Sequence, residues 1–227
     1  MRITLNNIGK RYNQEWIFKH LSYEFTSDNA YAILGPNGSG KSTLLQIIAG
    51  NFLLSEGTVE YYLSDKIRNT PNGTEKNQQA TINQQQITSE AIYQHLSFAS
   101  PYLELLEEYT LMESICFHSK FKNFYPSLTP EKIIELCELE KSSDKELKYF
   151  SSGMKQRVRL ALAIFSDTPL LLLDEPASNL DKQGIRWYQK MMGDFSKDRL
   201  VIVCSNQQQQ EYSFCTKELT LNPHSYN

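Results

Sequence analysis

The 227-residue chain has no apolar run longer than Leu160 to Phe165, whereas a membrane-crossing helix needs about 18 apolar residues. Met1 to Lys10 hold no long apolar stretch either, which argues against a secretory signal. No sign of charge dominates. Lys and Arg number 23 and Asp and Glu 26, a formal charge of −3, so the chain is not a generally basic nucleic-acid binder. The four cysteines (Cys116, Cys137, Cys204, Cys215) include no C-x-x-C pair, and reduced thiols in a cytosolic protein are the expectation. The four histidines form no ligand-spaced cluster, so a Cys/His metal site is not expected.

What is present is ordinary globular composition, 40% hydrophobic and 22% charged, in a chain long enough to bury roughly 70–75% of its unfolded surface. Strand-like and helix-like segments alternate. Arg2–Ile8 reads as an edge strand, Ala30–Leu34 as a buried strand, Ser42–Ala49 as a helix, and Thr58–Leu63 as a strand. Residues 69–86 carry five Gln and four Asn with Ile82 the only large apolar residue, the composition of a solvated loop. A strand is expected over His95–Ala99, and helices over Thr110–Lys122 and Pro130–Glu140, the latter capped by Thr129. Then follow a helix (Met154–Phe165), a strand (Leu170–Asp174), a helix (Lys182–Phe195) and a strand (Leu200–Cys204). The alternation predicts an α/β fold with a mainly parallel sheet. It reads as one domain, with a core over about 1–99 and 158–227 and a helical lobe over about 100–157.

Gly35-Pro36-Asn37-Gly38-Ser39-Gly40-Lys41-Ser42 matches G-x-x-x-x-G-K-[ST] between an apolar strand and an apolar helix. Its glycines let backbone N–H groups approach a polyphosphate, and the following helix aims its positive end at the same anion. Lys41 supplies a point charge for the outer phosphates and Ser42 a hydroxyl for Mg²⁺. Four leucines, Leu170 to Leu173, lead into Asp174 and Glu175. Ligands in open α/β sheets sit at such strand ends. There Asp174 would hold the Mg²⁺ shell and Glu175 would orient or deprotonate the attacking water.

Phe150-Ser151-Ser152-Gly153-Met154-Lys155-Gln156-Arg157 resembles the L-S-G-G-Q signature of the ABC-type ATPases. The order of phosphate loop, signature and acidic strand is that family's, and Ala177-Ser178-Asn179-Leu180-Asp181 resembles its D-loop. The resemblance, over about Met1 to Leu221, implies a P-loop ATPase core with an antiparallel edge β-subdomain and an inserted helical subdomain. It implies ATP and Mg²⁺ as ligands. Nucleotide contacts would come from Tyr12, Gly35, Asn37, Gly38, Ser39, Gly40, Lys41, Ser42 and Thr43. Ser151 and Gly153 would reach the nucleotide of a second subunit. Tyr12 resembles the aromatic that stacks on adenine, and Trp16 is an alternative. Metal contacts would be Ser42 and Asp174, with Glu175 and Lys41 in catalysis.

Two places depart from the family pattern. Asn206 stands where a switch histidine is expected; its amide can donate to a phosphate oxygen but cannot carry a proton. Ser100-Pro101-Tyr102 occupies the region of an expected glutamine, and Gln94 lies too early, on the strand itself. Gln207–Gln210 reads as the start of a solvated helix. The resemblance implies the ATP-binding subunit of a transporter, cytoplasmic and peripheral to a membrane, working as a homodimer or with a related ATPase. Its partners would be separate membrane permease subunits, contacted through Ser100–Glu113, with no nucleic acid expected. Two other readings stay open: a soluble ATPase of the same family acting on another assembly, and a nucleotide-gated module with little turnover.

Overall fold

The computed structural model describes residues 1–64 and 84–222. Its elements are β1 (Arg2–Tyr12), β2 (Glu15–Thr26), β3 (Ala30–Leu34), α1 (Lys41–Ile48), β4 (Glu56–Ser64), β5 (Gln84–Ile87), β6 (Leu96–Ala99), α2 (Leu111–His118), α3 (Pro130–Leu136), α4 (Ser152–Ile164), β7 (Leu170–Asp174), α5 (Lys182–Phe195), β8 (Leu200–Ser205), α6 (Gln209–Tyr212) and β9 (Lys217–Thr220). Among the described residues they form two sheets. One is parallel, in the order β6-β7-β8-β3-β9; the other is antiparallel, in the order β2-β1-β4-β5.

The leucine run of β7 explains the layering. Side chains alternate across a strand, so Leu170 and Leu172 pack into one core with α1 and the antiparallel sheet, including Ile3, Phe18, Leu44 and Ile48. Leu171 and Leu173 face a second core built from the helices, including Ile115, Leu160, Ala161 and Met192. All four leucines are fully buried, each worth roughly 1.5–3 kcal/mol relative to exposure. A strand covered on both faces has no polar side to show, so it reads as an unbroken apolar run.

Several expectations are corrected. β1 lies inside the antiparallel sheet, between β2 and β4, rather than at an edge. β2 was not anticipated because a bulge breaks its alternation: Asn7 and His20 both adopt left-handed φ (49° and 54°) and pair through Asn7 Oδ1 and His20 Nδ1 at 3.0 Å. β5 takes residues 84–86 out of the expected loop and makes them part of an edge strand, where the exposed Gln85 and Gln86 are tolerated; residues 69–83 lie outside the described residues. Ser64 and Gln84 form one pair of the β4–β5 ladder. Gln94 sits in a 3₁₀ turn, Ile92–His95, ahead of β6 rather than on it.

Helix ends follow local chemistry. Thr110 caps α2, accepting from Glu113 N at 3.2 Å while Glu113 Oε2 accepts from Thr110 N at 2.8 Å. That helix stops at His118, short of Lys122. α3 begins at Pro130 as expected but stops at Leu136, before Glu138 turns left-handed at φ 56°.

His118 packs face to face on Phe124 and pairs through Nε2 with Ser166 Oγ at 2.9 Å. Burial, with Lys122 nearby, lowers its pKa from 6.5 to about 4. The unfolded chain therefore binds this proton more readily, so His118 costs the fold stability as pH falls from the ordinary range toward about 4. Replacing His118 with Gln should shrink the difference in melting temperature between pH 7 and pH 5, measured by calorimetry; an unchanged difference would assign the acid sensitivity elsewhere.

Candidate functional site

The phosphate loop leaves β3 at Leu34 and enters α1 at Lys41. Gly40 stands at the helix start with φ 93°, and a Cβ there would lie 2.5 Å from Ile17 Cγ2. Both the left-handed backbone and the close approach of β2 demand glycine. Gly38, at φ 82°, has nothing within 4 Å of where a Cβ would be, leaving open space above the loop. Lys41 is buried, and its Nζ donates to the carbonyls of Gly35 at 2.9 Å and Pro36 at 3.0 Å. Among the described residues no carboxylate forms an ion pair with it. An ammonium held only by carbonyl dipoles keeps most of its charge free for an anion.

The end of β7 meets this loop. Ser42 Oγ donates to Asp174 Oδ1 at 3.1 Å. Asp174 is buried, and burial raises its pKa, opposed by the Ser42 hydrogen bond. Glu175 turns left-handed at φ 42° while its N–H bonds the Cys204 carbonyl of β8 at 2.9 Å. That turn presents Glu175 to a cleft of about 520 Å³ shared with Asn37, Gly38, Gly40, Lys41, Ser42 and Thr43, with Ile17 and Tyr102 completing the walls. The set fits Mg²⁺ on its donor chemistry: a serine hydroxyl and a carboxylate already within hydrogen-bond distance are hard oxygen ligands. Ser39 Oγ is buried in the same loop without a hydrogen-bond partner, a polar group left for a ligand.

Ser151, Gly153 and Asn179 lie elsewhere. Ser151 caps α4, its Oγ accepting from Met154 N at 3.2 Å. A Cβ on Gly153 would lie 2.9 Å from the Asn179 carbonyl, so glycine is what lets the signature helix press against the D-loop-like turn. These residues line a separate cleft of about 470 Å³, which shares no wall residue with the phosphate cleft.

The remaining residues are less gathered. Tyr12 is 45% exposed near the β1–β2 turn, its ring 4.8 Å from Lys10 Nζ. Trp16 lies between Arg11 and Lys19, at 5.5 and 4.6 Å. Neither ring lines the phosphate cleft. Asn206 follows β8, exposed and outside that lining. Two residues escaped the sequence reading of the site. Tyr102, read there as a partner contact and as part of the stretch in place of the expected glutamine, lines the phosphate cleft beside Glu175. Glu211, which the sequence reading did not single out, is 1% exposed and accepts from Ala177 N, two residues beyond Glu175.

Comparison with known proteins agrees with this geometry. The family model for ABC transporter matches residues 18–178. An uncharacterised ABC transporter ATP-binding protein of Bacillus subtilis, YybJ, is 25% identical over 97% of this chain and 92% of its own length. A sulfate/thiosulfate import ATP-binding protein, CysA, of Synechocystis is 30% identical over 84% of this chain, which spans 50% of that relative's length. The dimeric post-hydrolysis structure of the ATP-binding cassette MJ0796, bound to ADP and Pi, matches with a TM-score of 0.74 at 22% identity, over 97% of this chain and 94% of that one. The family match covers most of the chain, and the phosphate loop, acidic strand and capped signature helix stand in an α/β fold shared with a solved cassette: the chain belongs to the ABC transporter family, as one of its ATP-hydrolysing nucleotide-binding subunits.

Proposed function

We propose that two such subunits, identical or related, close head to tail over ATP and drive separate membrane permeases. One observation carries the reading: the phosphate cleft and the signature cleft have no wall residue in common. One copy therefore offers two separate half-sites, and in a two-fold pair a second copy completes each. In the closed state Lys41, Ser42, Thr43 and the N–H groups of Asn37 to Gly40 hold the phosphates, and Ser151 and Gly153 of the other copy meet the γ-phosphate from above. Ser42 and Asp174 would hold Mg²⁺, which when bound neutralises phosphate charge. Glu175 takes a proton from the attacking water as oxygen bonds the γ-phosphorus and the bond to the ADP oxygen breaks. Tyr12, or Trp16, supplies the ring on which adenine stacks.

Exposed apolar side chains support a permease contact along Ser100–Glu113. Tyr102 (79% exposed), Leu103 and Leu106 are open, with Phe117 and Phe121 of the α2 region nearby in sequence, whereas Leu105 packs partly into the second core. In this reading residues 100–157 form the lobe that docks. Among the described residues no helix is long and apolar enough to cross a membrane. On the same reading the membrane-spanning partners are separate permease chains and the subunit works at their cytoplasmic face.

Asn206 favours slow turnover. Loss of one transition-state donor costs roughly 3–4 kcal/mol in comparable sites, and the amide recovers part of it. Three measurements test the scheme. Glu175→Gln should lower multiple-turnover phosphate release by about 100-fold or more, while ATP stays bound and shifts the protein to a dimer in size-exclusion chromatography; wild-type turnover would remove Glu175 from its role. Asn206→His should raise steady-state ATPase activity severalfold, and no gain would remove the weakened switch. A membrane subunit should co-purify with the wild-type chain and be lost on Tyr102→Asp with Leu106→Asp, while retention would move the contact off this segment.

A further inference from the structure

A second carboxylate stands behind Glu175, and it holds the turn that aims Glu175. Glu211 on α6 is 1% exposed. Its Oε1 accepts from Ala177 N at 3.0 Å, and its Oε2 pairs with Ser205 Oγ at the end of β8. Ser205 Oγ also accepts from Gln208 N at 3.1 Å, and the Glu211 carbonyl accepts from Tyr188 OH at 2.8 Å. On the far side of the same peptide, Gln156 Nε2 of α4 donates to the Pro176 carbonyl at 3.2 Å. The Pro176–Ala177 peptide is thus gripped from both sides, by the signature helix through its carbonyl and by Glu211 of α6 through its amide.

We propose that Glu211 is a positioning residue for ATP hydrolysis, locking the turn after Glu175 to the end of β8 beside Asn206 and, through Gln156, to the signature helix. The inference rests on the two-copy reading above. Three features support it. The gripped peptide lies one residue beyond Glu175, whose backbone is left-handed at φ 42° and whose N–H is already tied to the Cys204 carbonyl of β8, so the turn is fixed on both sides of Glu175. Ser205 immediately precedes Asn206, so any movement of the switch position pulls on the Glu211 carboxylate. Third, a buried acid is an expensive way to fill space, and among the described residues Glu211 has no ion-pair partner. Burial raises its pKa, the bonds from Ser205 and Ala177 oppose that, and Glu175 and Asp174 add to the rise. An apolar side chain would avoid that cost but could not hold Ala177 N–H and Ser205 Oγ together.

The test compares Glu211→Met, which keeps bulk, with Glu211→Gln, which keeps an acceptor for Ala177 and a donor for Ser205. Steady-state ATPase kinetics and melting temperature are measured on both. Glu211→Met should lower kcat about tenfold, the effect of losing one buried hydrogen bond, with KM for MgATP within about twofold. Glu211→Gln should recover most of that loss. Ser205→Ala, which leaves the carboxylate in place, should lower kcat by a smaller factor and covers the case in which Glu211→Met fails to fold. Folded Glu211→Met, or failing that folded Ser205→Ala, with wild-type kcat would overturn this inference alone, as would a loss that appears only in KM or is not recovered by Gln. Absence of ATP-dependent turnover in the wild-type protein would overturn both this inference and the reading it rests on.

Discussion

The central constraint is a strand with no solvent side. β7 is buried on both faces, so its four leucines can only alternate between two cores, and its polar residues are pushed to its carboxyl end. That end is where α1 begins across the sheet, and the Ser42–Asp174 hydrogen bond joins the two. Parallel strands hold their ends at one rim because β6, β7, β8 and β3 are in continuous register. Chemistry collects at that rim because the interior excludes charge everywhere else along the strand.

How much of this could be read from residues alone follows from the same physics. β3, β7 and α5 have the bounds the sequence implies, since each has a strong burial pattern and, for α5, a capping Asp181 whose Oδ1 accepts from Gly184 N at 2.7 Å. The phosphate loop was legible because its glycines and lysine are required by backbone geometry and charge at fixed spacing. β2 was hidden by a bulge that shifts its register midway. β5 was hidden because an edge strand needs only ladder hydrogen bonds, which glutamine supplies as well as valine does. Glu211 was illegible for a different reason: nothing around it in the chain distinguishes it from a solvated acid, and only the packing of Tyr188, Ala177 and Ser205 takes it out of water.

The site also shows how substitutions can be absorbed. Ser152 replaces a glycine of the family's signature but stands exposed at the first turn of α4, where a Cβ meets no crowding demand. Gly153 is retained where the Asn179 carbonyl leaves no room. The steric requirement, rather than the letter of the signature, is what survives. The same logic applies to Tyr102, which fills part of the phosphate cleft wall in a region where a glutamine was expected.

The pairing of Ser64 with Gln84 has an engineering meaning. The two strand ends meet at one rung of the ladder between β4 and the edge strand β5. Closing a longer excursion raises the entropy cost only logarithmically, about 0.6 kcal/mol per doubling. Lengthening the connection between Ser64 and Gln84 therefore carries a small entropic cost, which makes it a place to graft a fluorescent reporter or affinity handle.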